Sequence, residues 1–260
     1  MGPPAFMQIF REREKFGHGA AHRQTEAAWP RAFARAKIPN NYMALSTMYG
    51  SPQVWFVEGH SSIAELAAAN KAIEAVPGLS AELDRYSAAD AANVDNADAI
   101  LARFVPEASN PTPLNLGEQH VWEITIFRVR PGKEASFFEG ANLYKSVVQQ
   151  AKAEAPWASY EVMAGMPGPV YLVFSPHKTL AEIDPNTGTM AAIMKAMTPE
   201  TMKQLGAVSE NFISVETLVL TPSPEMSYPM EEWVKQDPKF WAKKAMPAAA
   251  PAPKPAAPKP

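Results

Sequence analysis

Two stretches of this chain, residues 6–105 and 121–222, resemble each other, and this internal repeat constrains the fold more than any other feature. Short motifs recur 117 residues apart (126 − 9): Ile9–Arg13 returns as Ile126–Arg130, Ser62–Leu66 as Thr179–Ile183, Pro52 as Pro169 and His60 as His177. A constant offset across separated motifs predicts that one structural unit occurs twice. The repeat therefore predicts the fold but does not indicate which reaction, if any, the protein catalyses.

The composition limits the possible partners. The 260 residues are 47% hydrophobic and 20% charged, which is typical of a globular protein. A net charge of −3 argues against a nucleic-acid partner, which would need a basic surface. The absence of cysteine excludes disulfides, thiolate catalysis and Cys-bound metals. No apolar run of about 18 residues occurs, so we expect no membrane partner. The first six residues carry no secretory signal, so we expect a cytoplasmic location by default and leave export of a processed form open.

The chain divides into five predicted segments. They are a first repeat (1–106), a linker (107–119), a second repeat (120–222), an aromatic-containing tail segment (223–247) and a disordered Ala/Pro/Lys tail (248–260). Trp233, Phe240 and Trp241 lie in the fourth segment. They either dock on the body of the protein or form an arm that binds a partner subunit.

Each repeat has the predicted order strand, helix, strand, strand, helices, strand. The first helix is predicted over 19–36 and 134–153. A second helix is expected to open near Ser62 and near Thr179, and a further one at Thr198-Pro199, with Ser80 in a similar place in the first repeat. This order is the ferredoxin-like βαββαβ pattern, so the predicted fold class is α+β.

A ferredoxin-like sheet carries helices on one face and leaves the other bare. Burying even 600 Å² of apolar surface is worth about 15 kcal/mol gross, so an uncovered face is not expected. We therefore predict that the two sheets cover each other as a pseudo-dimeric barrel with a central cavity. Pairing of each repeat with a second chain, as a homo-oligomer, is the alternative.

The phrase Ile126-Phe127-Arg128-Val129-Arg130-Pro131-Gly132-Lys133-Glu134, followed by a long helix, resembles the opening of NIPSNAP-type and antibiotic-biosynthesis-monooxygenase-type domains. Both belong to the dimeric α+β barrel superfamily, and the resemblance covers both repeats. It implies a tandem α+β barrel. The superfamily includes cofactor-free oxygenases, polyketide cyclases, lactone isomerases and haem-degrading enzymes, and no branch motif matches residue by residue, so no site residue is carried over.

Histidines are the candidate catalytic residues. His22 and Glu26 are spaced i, i+4 on the first helix, where the second repeat has Phe137 and Ala141, and could form a base held by a carboxylate. The alternative is a surface contact. His60 recurs as His177, either as twin sites or as a helix-entry residue kept from the ancestral unit.

The candidate pocket residues are aromatic or cationic. Arg11 and Arg128 would favour an anionic or carbonyl-bearing ligand if their strand face lines the cavity, and would be solvated charges otherwise. The other candidates, which could equally be core residues, are Trp29, Tyr42, Tyr144, Tyr160 and His177. His18 and His22 could bind a metal, but His18 lies in a Gly-His-Gly turn, so no metal site and no cofactor are predicted.

Two functions remain open from the sequence. The first is a cofactor-independent enzyme of oxygenase, cyclase or isomerase type that binds an apolar or aromatic molecule in the barrel and moves a proton with a histidine. The second is a non-catalytic binding or assembly protein with a tethering tail. A closed cavity with His22 or His60 facing inward favours the first function, and a filled interior with these imidazoles outside favours the second. No phosphate loop, nucleophile elbow, HExxH motif or dinucleotide fingerprint occurs.

Overall fold

The computed structural model describes residues 2–242, in which the strands and helices occur in two successive sets followed by a short helical segment. The first set is β1 (Phe6–Glu14), α1 (Gly19–Glu26), α2 (Ala28–Ala36), β2 (Tyr42–Tyr49), β3 (Gln53–His60), α3 (Ile63–Glu74), α4 (Leu79–Asp90) and β4 (Val94–Phe104). The second set is β5 (Val121–Val129), α5 (Glu134–Gln150), β6 (Ala158–Ala164), β7 (Val170–His177), α6 (Gly188–Ala196), α7 (Pro199–Ser209) and β8 (Phe212–Pro222). The last segment contains α8 (Glu231–Gln236) and α9 (Pro238–Trp241).

The eight strands form one closed antiparallel barrel in the order β1-β3-β2-β8-β5-β7-β6-β4. The first four strands are adjacent, and so are the last four. Two seams join these halves: β2 with β8, where Leu45 lies opposite Pro222, and β4 with β6, where Phe104 lies opposite Tyr160. Closure pairs the outer strands of both halves, so the barrel has no free edge. The predicted α+β class and the predicted barrel match this arrangement.

The barrel interior is a packed core, so the predicted central cavity is wrong. Alternate residues of the strands point inward, and Ile9, Trp55, Tyr160 and Leu172 are all fully buried there. The rings also meet across the halves, because Phe174 lies 6.3 Å from Trp55 and 5.8 Å from Tyr160 between ring centroids. Large aromatic side chains from both sheets therefore fill the space that the sequence analysis assigned to a ligand.

Helices cover the outer face of the barrel, and two of the predicted helices differ in the structure. The helix predicted over 19–36 is divided at Ala27 into α1 and α2. Pro30 has no N–H to donate to the carbonyl of Glu26, which explains the break. Near Thr179 the chain forms only a short 3-10 helix (Leu180–Ile183), and α6 starts after Asp184-Pro185.

The predicted helix starts had mixed outcomes. Ser62 and Thr198 cap their helices by accepting a hydrogen bond from the backbone N–H three residues later, as expected. The helix start predicted at Ser80 is wrong, because α4 starts at Leu79 and Gly78 occupies the cap position.

Strand pairing revises the offset between the halves. Phe6 lies opposite His60, and Val121 lies opposite His177, so β1 and β5 correspond at 115 residues (121 − 6) and not at 117. The same offset relates the turn glycines Gly17 and Gly132, both at positive φ, and places Phe137 at the position of His22. The offset of 117 relates β3 to β7 and does not relate β1 to β5.

The C-terminal segment docks on the barrel. Trp233 and Trp241 are buried in the same core cluster as the barrel interior. The Trp241 indole donates a hydrogen bond to the carbonyl oxygen of Gly117, 2.9 Å away. A Cβ at Gly117 would lie 2.3 Å from the backbone oxygen of Trp233, so only glycine fits at this contact. The aromatic residues therefore belong to the body and are not a free arm, and the predicted disordered tail at 248–260 lies outside the described residues.

Among residues 2–242, none of the helices has the length and apolar character that a membrane crossing requires.

Candidate functional site

A partly open cavity of about 1070 Å³ lies between the outer face of the second half of the barrel and the helices that cover it. Outward-facing residues of β5 and β7 form its floor, and α5, α6 and α7 form its walls. Most of the wall is apolar, with Phe127, Phe137, Ala141, Val173, Met190, Leu205 and Val208 among its residues. A concave, mainly apolar space with a few polar groups is typical of small-molecule sites.

A histidine–carboxylate pair lies at the wall of this cavity. His177 is at the end of β7, and its Nε2 lies 3.0 Å from Oε2 of Glu123 on β5. Because a carboxylate only accepts, Nε2 carries the proton in this hydrogen bond, and Nδ1 is the basic nitrogen of the neutral ring. Ser175, directly opposite Glu123, adds a small hydroxyl to the same wall.

Tyr144 of α5 supplies a phenol to this wall. Burial, and then the negative charge of Glu123, raise the pKa of Tyr144, so the phenol stays protonated and can donate a hydrogen bond. Its ring packs on Trp157 at 5.5 Å between centroids, which fixes its position. The cavity thus combines an apolar wall with a base, a carboxylate and a hydrogen-bond donor.

A second group of polar residues is buried under the helices of the first half. Glu12 (β1), His22 and Glu26 (α1) and Asp90 (the end of α4) bring one nitrogen or oxygen each to within 4.8 Å of one another. We call these four residues the acidic cluster. His22 is fully buried and donates from Nδ1 to Oδ2 of Asp90, 2.7 Å away. The surface alternative for His22 and Glu26 is therefore wrong, and the carboxylate that holds His22 is Asp90 rather than Glu26.

Burial and the interactions among its members shift the pKa values of the acidic cluster. Burial, together with the charges of Glu12 and Asp90, raises the pKa of Glu26 to about 9. Burial also raises the pKa of Glu12, against the effect of His22. Although burial opposes it, the pKa of Asp90 is lowered by hydrogen bonds from His22, Thr25 and Asn93. The pKa of Asp90 is thus shifted in the opposite direction to those of Glu12 and Glu26, and its hydrogen bond and charge raise the pKa of His22 against the effect of burial.

No protein-family model matches this chain, and no curated protein matches its sequence. Solved structures do match it. An anthrone oxidase-like protein has a TM-score of 0.54 at 8% identity, covering 86% of this chain and 94% of the other. Proteins named "putative monooxygenase" from Lactobacillus acidophilus and Fusobacterium nucleatum have TM-scores of 0.51 at 8% and 10% identity, covering 84% and 85% of this chain and 93% and 94% of theirs.

The chain has the dimeric α+β barrel fold. At identities of 8–10%, this likeness shows a shared fold and says nothing about function.

Only two of the predicted pocket residues of this α+β barrel, Tyr144 and His177, line the cavity. Tyr160 is in the barrel core, where its hydroxyl donates to the carbonyl oxygen of Pro4. Trp29 and Tyr42 pack against Phe33 in the core beneath α2. These three aromatics are core residues, the alternative that the sequence left open.

The predicted arginines do not line the cavity either. Arg11 points into the end of the barrel, forms an ion pair with Asp98 at 2.5 Å and lies 5.7 Å from the centroid of Trp55. Its charge is therefore already neutralised. Arg128 is half-buried on β5, and its Nε has no protein hydrogen-bond partner.

His60 lies beside Glu58 on the outer face of β3, away from the cavity. Its Nε2 is 3.2 Å from Glu58 Oε1, without the geometry of a hydrogen bond. Burial lowers the pKa of His60, so the ring is neutral. Burial raises the pKa of Glu58 to about 7, against the lowering effect of the neighbouring Asn40 and with a further contribution from Glu65.

Replacing Glu58 by Gln is expected to make stability less dependent on pH. The folded protein holds a proton on Glu58 up to about pH 7, whereas the unfolded chain releases it near pH 4.5. The protonated Glu58 therefore contributes its full share of the free energy of unfolding below pH 4.5, and this contribution is lost as the pH rises through 7. At pH 8 the Glu58→Gln variant should exceed wild type in free energy of unfolding by about 3 kcal/mol, and at pH 4.5 by almost nothing. Urea unfolding at both pH values measures this, with Glu139→Gln on the exposed face of α5 as the control.

Sequence reasoning missed Glu12, Asp90 and Glu123. Asp90 is 68 residues from His22 in sequence, and the packing of α1 against α4 brings the two together, while Glu12 joins the cluster from β1. Glu12 and Glu123 gave no usable signal, because the sequence left open which face of β1 and of β5 lies under the helices. Strand pairing shows that Phe127 stands at the position of Glu12 in the second half.

Proposed function

We propose that this protein is a small-molecule enzyme that removes a proton from an apolar, carbonyl-bearing compound bound in the cavity of the second half, with His177 as the base. The observation that carries this proposal is the His177–Glu123 pair at the wall of a cavity of about 1070 Å³. A neutral imidazole held by a carboxylate is suited to general-base catalysis near neutral pH.

The rest of the cavity suits the same chemistry. Removing a proton from a carbon that is conjugated with a carbonyl develops negative charge on the carbonyl oxygen, and a protonated phenol can stabilise this charge by donating a hydrogen bond. Tyr144 is the phenol in place for this role. The apolar wall, with Phe137 and Val173, excludes water and accommodates a flat ring system. Oxygenases, cyclases and isomerases can share this first step.

This assignment replaces the sequence-based choice of His22, Glu26 and His60 as catalytic residues. All three lie on the first half, and none of them lines the cavity. Arg11 and Arg128 are likewise not used. Chemistry at His177 needs no resident cofactor, since the base, the carboxylate and the phenol all come from the chain.

Anthrone tests the proposal, because it is a flat tricyclic ketone with an acidic CH₂ group. The protein should bind anthrone and, under nitrogen in D₂O, catalyse deuterium exchange at that carbon. In air, a carbanion that reacts with O₂ would give anthraquinone and water, and oxygen uptake would then identify an oxygenase. Exchange without oxygen uptake would indicate an isomerase or cyclase. Binding without exchange would contradict the proposal and support the alternative, a non-catalytic binding protein.

A cavity-filling variant tests the location. Ser175→Phe places a ring beside Glu123, so anthrone affinity should fall by more than about tenfold, equivalent to about 1.4 kcal/mol. The fold should persist, because the ring enters open space. Isothermal titration calorimetry measures the affinity, with His177→Gln as the control that keeps the wall nearly the same size. Unchanged affinity in Ser175→Phe would place the ligand elsewhere.

We further propose that the two halves derive from one duplicated ferredoxin-like unit, with the division at 1–106 and 120–222. The strand order supports this, since β4-β1-β3-β2 and β8-β5-β7-β6 are the same arrangement. One chain closes its own barrel, so a homo-oligomer would form through the outer surface.

A further inference from the structure

The acidic cluster contains buried atoms without hydrogen-bond partners. His22 has no exposed side-chain surface, and its Nε2 has no partner. This nitrogen lies 3.6 Å from Oε2 of Glu12, which is also buried and without a partner. Buried polar atoms are normally satisfied, and two unpartnered atoms 3.6 Å apart are the arrangement expected of two ligands of one bound ion.

The protein supplies little positive charge of its own to this cluster. In the part of the chain that the structure describes, no lysine or arginine forms an ion pair with Glu12, Glu26 or Asp90. Three carboxylates surround a single imidazole, with Glu14 acting on the same ring. Buried carboxylates need either a proton or a cation, and one divalent ion satisfies several of them.

Asp90 holds the imidazole in an orientation that suits metal binding. It accepts from His22 Nδ1 through Oδ2, while Thr25 and Asn93 both donate to Oδ1. In the neutral ring, with the proton on Nδ1, the lone pair of His22 is on Nε2, which lies 3.6 Å from Glu12 Oε2. A ligating histidine usually donates its other N–H to a carboxylate in this way.

The second half of the barrel shows that the fold does not require these polar residues. Phe127, Phe137 and Ala141 stand at the positions of Glu12, His22 and Glu26. Val208 stands at the position of Asp90, because the backbone carbonyl of each residue accepts a hydrogen bond from the backbone N–H three residues later. All four replacements are apolar and line the cavity. The acidic cluster is therefore a feature of the first half alone.

We propose that Glu12, His22 Nε2 and Glu26 bind one divalent transition-metal ion, with Asp90 as the positioning residue. One imidazole and two carboxylates, without sulfur, suit Mn²⁺, Fe²⁺ or Zn²⁺ better than Cu⁺. Three protein ligands leave coordination positions for water or a small ligand. The side chain of Glu12 is 22% exposed, which provides a route of entry. This site is independent of the proposed chemistry at His177.

Metal titration of the full chain tests this site. After treatment with chelator, wild type should take up one Zn²⁺ or one Mn²⁺ per chain, measured by calorimetry and by elemental analysis after dialysis. His22→Gln and Glu26→Gln should abolish binding. Asp90→Asn should weaken affinity by about 10–100-fold, the usual cost of losing such an outer partner. Glu58→Gln, which changes a different buried carboxylate beside a histidine, is the matched control and should bind normally.

Two results would overturn the proposal: no uptake by folded wild type, or normal uptake by His22→Gln and Glu26→Gln. Anomalous diffraction from wild-type crystals soaked in Zn²⁺ or Mn²⁺ gives a test that needs no variant. A peak bounded by Glu12, His22 and Glu26 supports the site, and a peak only at other residues refutes it. Deuterium exchange of anthrone reports on His177 separately, so failure of one proposal leaves the other testable.

Discussion

Replacing His177 by Gln is expected to slow deuterium exchange of bound anthrone by about 10²–10⁴-fold, the usual contribution of a general base. Glutamine fills similar space and can hydrogen bond to Glu123, but it cannot accept a proton at neutral pH. Anthrone affinity should therefore change little while the rate falls. Mass spectrometry of the exchanged ligand at saturating protein gives the rate, and calorimetry gives the affinity.

Two controls separate this role from a structural one. His60→Gln changes the histidine at the corresponding end of β3, outside the cavity, and should leave the exchange rate unchanged. Glu123→Gln keeps the base but loses the carboxylate that orients it, so the rate should fall less than in His177→Gln. Equal losses in His177→Gln and His60→Gln would indicate a general effect on folding, and the assignment of the base would be wrong.

Truncating Trp55 to Ala should cost the barrel about 3–5 kcal/mol of unfolding free energy. Trp55 is fully buried, its indole donates to Oε1 of Gln53 at 2.9 Å, and its ring contacts Phe174 of the other half. Removal leaves a void at the junction of the two sheets, and surrounding strands closed into a barrel have little freedom to collapse into it. Urea unfolding measures the loss.

Phe16 provides the control for this truncation. This residue is 97% exposed, so Phe16→Ala should change stability by less than about 0.5 kcal/mol. A loss near 1 kcal/mol in Trp55→Ala would mean that the ring already borders open space. The interior would then be hollow, as the sequence analysis expected, and the barrel itself would return as a candidate ligand site.

The barrel could be predicted from sequence because its causes are local and repeated. Alternating apolar residues, the turns at Gly17 and Gly132, and the caps at Ser62 and Thr198 each specify one element, and two bare sheet faces in one chain have to cover each other. The offset of 117 was misleading in β1, where similar letters at Ile9 and Ile126 hid a true correspondence of 115.

The sites could not be predicted in the same way, because they depend on side-chain volume and on distant contacts. Large rings such as Trp55 and Tyr160 fill the barrel interior, while the outer face of the second half stays open beside the smaller Val173 and Ser175. In the first half Phe56 takes the place of Val173, and the equivalent space is core. No sequence pattern indicates which of two similar halves keeps its cavity.

A crystal structure of the protein with anthrone is the most direct test of the central claim, that the cavity of the second half is the ligand site. The proposal predicts density between β5, β7 and α5, with the acidic carbon near Nδ1 of His177 and the carbonyl oxygen within about 2.6–3.2 Å of the Tyr144 hydroxyl. Anthrone bound inside the barrel or on the first half, or a cavity that stays without ligand density at saturating anthrone, would contradict it.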